Sequence, residues 1–202
     1  SQGGTNYLIA HPGQNLMDIS STVNSPVLYS SSNDILTQLE DTSGANPSGQ
    51  IISVSGGVVS LHPYIFVYGN DGLIKNCSAG NPFDWNSPDA NETNVATGKF
   101  VKALAVRGGS NAPAGLFWSL DSLVRVSYTP TTISTGDTSS TFYWRYDVIS
   151  AQSSILSSQC VIEYDGIYFW IGSDRFLLYN GTVQEIPNQM NQNRSEERRV
   201  GK

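Results

Sequence analysis

A phrase that returns about every fifty residues constrains the fold of this chain more than any other feature. It runs Tyr64-Ile-Phe-Val-Tyr-Gly-Asn-Asp71-Gly-Leu-Ile, then Leu116-Phe-Trp-Ser-Leu-Asp121-Ser-Leu-Val-Arg-Val, then Tyr168-Phe-Trp-Ile-Gly-Ser-Asp174-Arg-Phe-Leu-Leu. Each copy is an aromatic run, a turn carrying an aspartate, and a second apolar run. The aspartates are fifty and then fifty-three residues apart, and Gly56-Gly57 and Gly108-Gly109 recur upstream of their aromatic runs. A weaker copy, Val27-Leu-Tyr-Ser-Ser-Ser-Asn-Asp34-Ile-Leu, precedes them. Self-similarity at such a period is the mark of a repeat architecture.

The third copy shows what one repeat contains. Four β-rich runs lie between Cys160 and Ile186: Val161 to Tyr164, Ile167 to Ile171, Phe176 to Tyr179, and Thr182 to Ile186. Asp165-Gly166 and Asn180-Gly181 divide the outer pairs, and such dipeptides accept the positive φ of a two-residue hairpin. Gly172-Ser173-Asp174-Arg175 turns the middle pair. An up-and-down meander follows. Ile167 to Ile171 is apolar at every position instead of alternating, so both faces of that strand are expected to be covered. A lone meander cannot do that, whereas blades stacked around an axis can.

The expected fold is therefore all-β: a partial β-propeller of four-stranded antiparallel blades, with three full blades, one partial blade and about 50 residues per repeat. The middle blade is expected to use 99–106, 116–120, 123–128 and 141–149, with Pro130 to Ser140 as a polar surface loop. Asp71, Asp121, Asp165, Gly166, Asp174, Asn180 and Gly181 are read as structural turn markers.

Residues 1–193 are assigned to this partial propeller. The opening Ser1-Gln2-Gly3-Gly4 lacks a Met and reads as a cut from a longer protein. At Arg194 the composition breaks, with six charges in the nine residues Arg-Ser-Glu-Glu-Arg-Arg-Val-Gly-Lys. These nine match a translated sequencing-library adapter, so 194–202 is expected to be a non-native read-through tail. Without them Lys plus Arg falls from 11 to 7 and Asp plus Glu from 17 to 15, moving the net charge from −6 to −8.

That acidic balance, with no basic stripe, argues against a surface built to hold nucleic acid. No run of eighteen apolar residues occurs, so no membrane-spanning helix is expected. Cys77 and Cys160 are too few for a disulfide scaffold and are expected to be buried free thiols.

No catalytic, cofactor-binding or metal-ligating set stands out, and the chain is not expected to be an enzyme. His11 and His62 each precede proline and have no ligand partners at useful spacing. Asp84, Asp89, Asn91 and Glu92 make an oxygen-rich stretch, but not at the spacing of a calcium loop. Asp147, Glu163, Asp165 and Asp174 supply carboxylates for acid–base work in principle, yet two of them have turn roles. Trp118 and Trp170 occupy matching repeat positions and are assigned to the core. Trp85, in Asn81-Pro-Phe-Asp-Trp-Asn, is a candidate contact residue on a loop.

Taken together, Asn81-Pro-Phe-Asp-Trp85, the small-residue run Ser150 to Gln159, and Val161 to Gly181 with its Asp-Gly, aromatic strand, Gly-x-Asp and Tyr-x-Gly resemble one family. It is the β-propeller hub or nozzle proteins of short-tailed bacteriophages, including packaged-DNA stabilisation proteins, over roughly Gly49 to Asn191. The resemblance implies a structural virion protein of the phage tail, assembled in the host cytoplasm. It implies a homo-oligomeric ring below the portal, contacts with portal and other tail proteins, and packaged DNA passing without sequence-specific binding. It implies no cofactor and no membrane. The alternative is a glycan-binding or carbohydrate-active propeller, which requires Asp147, Glu163 and Trp85 to converge.

Overall fold

The computed structural model describes residues 54, 56–107 and 112–187 in full, and strands within 7–50 by their backbone alone. Those early strands are β1 (Tyr7–Ala10), β2 (Val27–Ser30), β3 (Ile35–Gln38), β4 (Glu40–Asp41) and β5 (Gly49–Gln50). β1, β2 and β3 form a three-stranded antiparallel sheet, matching the partial repeat read around Val27 to Leu36. Asp34, His11, Gly108-Gly109 and the tail at 194–202 lie outside the described residues.

Three meanders follow. The first is β6 (Gly57–Leu61), β7 (Tyr64–Tyr68), β8 (Leu73–Asn76) and β9 (Asn91–Asn94). The second is β10 (Phe100–Ala105), β11 (Ala114–Ser119), β12 (Leu123–Thr135) and β13 (Thr138–Ser150). The third is β14 (Val161–Tyr164), β15 (Ile167–Ile171), β16 (Phe176–Tyr179) and β17 (Val183–Ile186). Each is a four-stranded antiparallel sheet in sequence order, and together they form the blades of a partial β-propeller-like all-β fold. Among the described residues no helix is long and apolar enough to cross a membrane.

The period-2 alternation of strands decides where each side chain goes. From β7, Tyr64, Phe66 and Tyr68 join Phe117, Val124, Val126 and Trp144 in a core between the first and second meanders. Ile65 and Val67 point the other way, into a cluster with Val54, Leu73, Cys77 and Trp85. From β11, Leu116 and Trp118 join Tyr168, Trp170, Leu177 and Tyr179 between the second and third meanders. The two inter-sheet cores are largely aromatic. Tyr68 meets Phe117 edge-on at 5.6 Å, and Trp118 meets Trp170 at 5.8 Å and 70°. Such pairs add about 0.5–1.5 kcal/mol each beyond the area they bury.

Tyrosine hydroxyls tie both interfaces to β10. The Ala103 N–H donates to Tyr68 Oη at 3.1 Å, and Tyr168 Oη donates to the Ala105 carbonyl at 3.1 Å. A buried hydroxyl must find a partner, and here the partner is the backbone of the adjacent sheet.

Two local expectations need correction. Pro130 to Ser140 is not a loop: β12 and β13 run on as a paired hairpin to a tip at Gly136-Asp137, with Thr135 opposite Thr138. The segment carries four Thr and Ile133, and β-branched residues of this kind favour extended backbone. Pro130 is accommodated at a register shift between Tyr128 and Thr131, where the ladder needs no donor. Asn180-Gly181 is likewise not a two-residue turn. Tyr179 pairs with Val183, so the connection has three residues, and Gly181 carries the positive φ of 115°.

Candidate functional site

The turn markers divide into two kinds. Asp165 and Gly166 have φ of 50° and 74°, the left-handed pair of a tight hairpin between Tyr164 and Ile167. Asp71, Asp121 and Asp174 each lie between the second and third strands of their meander, so the repeat phrase corresponds to one position in the fold. Their local chemistry differs. Asp71 adopts φ 54°, and its carbonyl accepts from Asn94 Nδ2 at 2.8 Å. Asp121 accepts from Ser119 Oγ at 2.8 Å and Thr97 Oγ1 at 3.3 Å, which clamps the turn to the preceding link. Asp174 pairs with the adjacent Arg175 at 3.1 Å on the surface, where an ion pair contributes little.

The oxygen-rich stretch is a self-satisfied loop that leads into a strand. Asp84 accepts from the Asn86 and Ser87 backbone N–H groups at 3.2 and 3.0 Å, and from the Ser87 hydroxyl. Asp89 accepts from Ser78 Oγ at 2.8 Å and the Ala79 N–H at 2.9 Å. Asn91 donates to Tyr146 Oη at 2.7 Å, and Glu92 pairs with Lys75 at 2.9 Å. Among the described residues no three His, Cys, Asp or Glu side chains are grouped to hold a metal ion.

Trp85 is on that loop as expected, but it is not a surface contact. It is 3% exposed, packed behind the first meander, with its Nε1–H donated to the Pro82 carbonyl at 2.8 Å. A large indole on a connecting loop serves here as the lid of a core cluster. Asp147, Glu163 and Trp85 are therefore not brought together. Asp147 pairs with Arg145 on β13, and Glu163 is on β14 of the next meander, 3.8 Å from Arg107.

An open cleft of about 630 Å³ lies between the outer strands of the second and third meanders, lined by Val148, Ser150, Arg175, Glu185 and the buried Ser153. Its charged groups answer each other instead of a common point, with Arg175 Nη1 3.6 Å from Glu185 Oε2.

Two surfaces stand out from this background. One is the hairpin arm, Thr129 to Phe142, every residue of which is exposed. At about 3.4 Å per residue it projects roughly 20 Å beyond its sheet. Ile133 and Phe142, the only large apolar side chains on it, are 55% and 57% exposed. The other is the outer face of the third meander. Ile162 and Tyr164 from β14, Ile171 from β15 and Phe176 from β16 are 59%, 74%, 38% and 44% exposed. The all-apolar run of β15 led to the expectation of two covered faces. One is covered, through Tyr168 and Trp170, and the other is open. That same run was the available signal for this surface.

The buried thiol and phenols give the molecule a pH limit. Burial pushes the Cys77 thiol from its ordinary 9.0 to about 12, despite the bond its sulfur accepts from the Ile65 N–H. Burial likewise raises Tyr68 and Tyr146 from 10.0 to about 12. All three are held neutral in the fold, so in the window between 9 and 12 the unfolded chain binds fewer protons. Stability is complete below that window and declines as pH rises through it. Urea midpoints measured along a rising pH series are expected to fall across it; a midpoint unchanged up to its top would contradict the burial of these groups. Cys160, which is half-buried, should react with a thiol reagent in the native state well before Cys77 does.

No protein-family model matches the chain, and no characterised protein matches it in sequence.

Proposed function

We propose that this chain is a structural virion protein of the tail hub or nozzle of a short-tailed bacteriophage. It assembles as a homo-oligomeric ring below the portal, contacts portal and other tail proteins, and helps form the DNA channel and retain packaged DNA. The observation that carries this reading is the resemblance quoted above, whose longest stretch, Val161 to Gly181, forms the third of three meanders that share an aspartate turn between their second and third strands. What the chain invests in is contact area: stacked aromatic sheet faces, an uncovered apolar face and a projecting arm. Its net charge of −6 suits a wall along which DNA slides, because a surface poor in Lys and Arg releases few counterions and does not hold the backbone.

The test is particle composition together with gene context. Mass spectrometry of purified virions from the source population should find these peptides in stoichiometric, multi-copy amounts, and portal and terminase genes should flank the coding sequence. Sugar-utilisation genes as neighbours, with the peptides absent from particles, would sink the proposal.

A further inference from the structure

Three Asx–Gly dipeptides occur among the described residues: Asp71-Gly72, Asp165-Gly166 and Asn180-Gly181. In such a pair the glycine nitrogen can reach the carbonyl carbon of the preceding side chain, because no Cβ stands in the way. Whether it does so in a folded chain depends on two things: whether the glycine N–H is already engaged, and whether the backbone is free to rotate. The three sites differ in both.

Asp71-Gly72 is locked. Gly72 is buried, the Asp71 carbonyl accepts from Asn94 Nδ2 at 2.8 Å, and the Gly72 carbonyl accepts the Val95 N–H at 3.1 Å. The Ala96 backbone lies so close against Gly72 that not even a Cβ has room. Asp165-Gly166 is exposed, but its glycine N–H is donated to Glu163 Oε1 at 3.0 Å. Asn180-Gly181 has neither restraint. Both residues are exposed, and a Cβ on Gly181 would meet nothing within 4 Å. Among the described residues, neither the Gly181 N–H nor the Asn180 carboxamide has a hydrogen-bond partner. The one tie inside the loop, from the Asn180 N–H to the Thr182 carbonyl, is long at 3.4 Å. Asn180 is also the amide of the three: its neutral carbonyl accepts a nucleophile that the carboxylates of Asp71 and Asp165 repel.

We propose that Asn180 is a modification site, at which the folded chain converts itself into aspartyl and isoaspartyl forms with water as the only co-reactant. The Gly181 nitrogen gives up its proton to solvent base and attacks Asn180 Cγ. The N–Cγ bond forms, the Cγ–Nδ2 bond breaks, and the amide nitrogen leaves as ammonia after taking a proton from solvent. Water then opens the five-membered imide. Attack at Cγ gives aspartate, and attack at the Asn180 backbone carbonyl gives isoaspartate, whose main chain runs through Cγ. Nothing is oxidised or reduced, and one neutral amide becomes a carboxylate, so the net charge of the chain moves from −6 to −7. The isoaspartyl form also adds a methylene to the three-residue connection whose flanking residues, Tyr179 and Val183, pair across the ladder. Tyr179 is buried in the core between the second and third meanders, and Val183 packs against it. With age, a new charge therefore arises at the loop that sets β17, beside the cleft that Gly181 and Thr182 help to line. The inference rests on loop geometry alone and is independent of the virion role.

The test holds the full chain, folded, at mildly alkaline pH and follows each Asx–Gly site by peptide mapping, with isoaspartyl methyltransferase labelling as a second readout. Isoaspartate is expected to accumulate at Asn180 roughly tenfold faster than at Asp71 or Asp165, and within about threefold of the rate in the urea-unfolded chain. Persistence of Asn180 in the folded chain, while the unfolded chain reacts, would overturn the proposal. An Asp165→Asn variant separates the structure from the dipeptide. It sets the same Asn-Gly pair beside Glu163, and asparagine tolerates the left-handed φ of 50° found there. Position 165 of this variant is expected to react several-fold more slowly than Asn180, and adding Glu163→Ala should bring the two rates together. Equal rates with Glu163 in place would mean that the free Gly181 N–H does not select Asn180, and would overturn the structural basis of the proposal.

Discussion

Trp118→Ala is expected to destabilise the protein by about 3–5 kcal/mol, the range for removing a fully buried large aromatic. Trp118 has 0% exposure and stands at the centre of the second inter-sheet core, in contact with both Tyr168 and Trp170. Its removal leaves a void that two rigid sheets cannot close by relaxing one side chain. For a protein of this size each kcal/mol lowers the melting temperature by about 2–4 °C, so a fall of roughly 10 °C is expected by calorimetry. Trp118→Phe should be far milder. The indole Nε1 has no hydrogen-bond partner, so replacing it removes a buried unpaired donor along with part of the ring. If the two variants melt together, the aromatic stack is not what joins the second and third meanders.

Gly72→Ala is expected to cost about 3 kcal/mol or more, from two additive causes. Gly72 has φ +67°, where a Cβ is strained, and a Cβ there would meet the backbone of Ala96, which cannot move aside as a side-chain tip can. The carbonyl of Gly72 also accepts the Val95 N–H at 3.1 Å, so the turn after β7 is fastened to the link leading into the second meander. The effect should therefore spread beyond the turn, and hydrogen exchange is expected to quicken in β9 and β10. By contrast, Gly136→Ala at the hairpin tip has φ +64° but no atom within 4 Å of a Cβ. Its cost should be confined to about 1 kcal/mol of backbone strain. Comparing the two urea midpoints separates the steric term from the conformational one.

Much of the fold was legible because aromatic and β-branched runs, Asp-Gly turns and a fixed period all pointed to the same solution. The third meander was readable almost to the residue, from Val161 to Ile186. β9 was not. Asn91-Glu-Thr-Asn94 has no apolar residue and lies on the edge of its sheet, so its place is set by ladder bonds to β8, which leave no hydrophobic pattern. The arm escaped for a related reason. Its Thr and Ser residues satisfy one another, as in the Thr132 to Thr141 contact at 2.9 Å, and polar text of that kind reads equally well as loop. Trp85 was misassigned because a tryptophan on a connector carries no periodicity to say which way it turns. The open sheet face could not be seen either. An apolar strand announces that both its faces want cover, but not which one receives it within a given stretch of chain.

The hairpin arm separates two properties that most proteins must trade against each other. Residues from Thr129 to Phe142 lie outside the aromatic cores, which draw only on Tyr128, Tyr143 and Trp144 at the arm's root. Strand pairs could thus be added or deleted in steps at the tip without altering what holds the sheets together. The molecule's reach is adjustable by mutation while its melting point stays fixed, and lineages that face neighbours at different distances could respond by changing length alone.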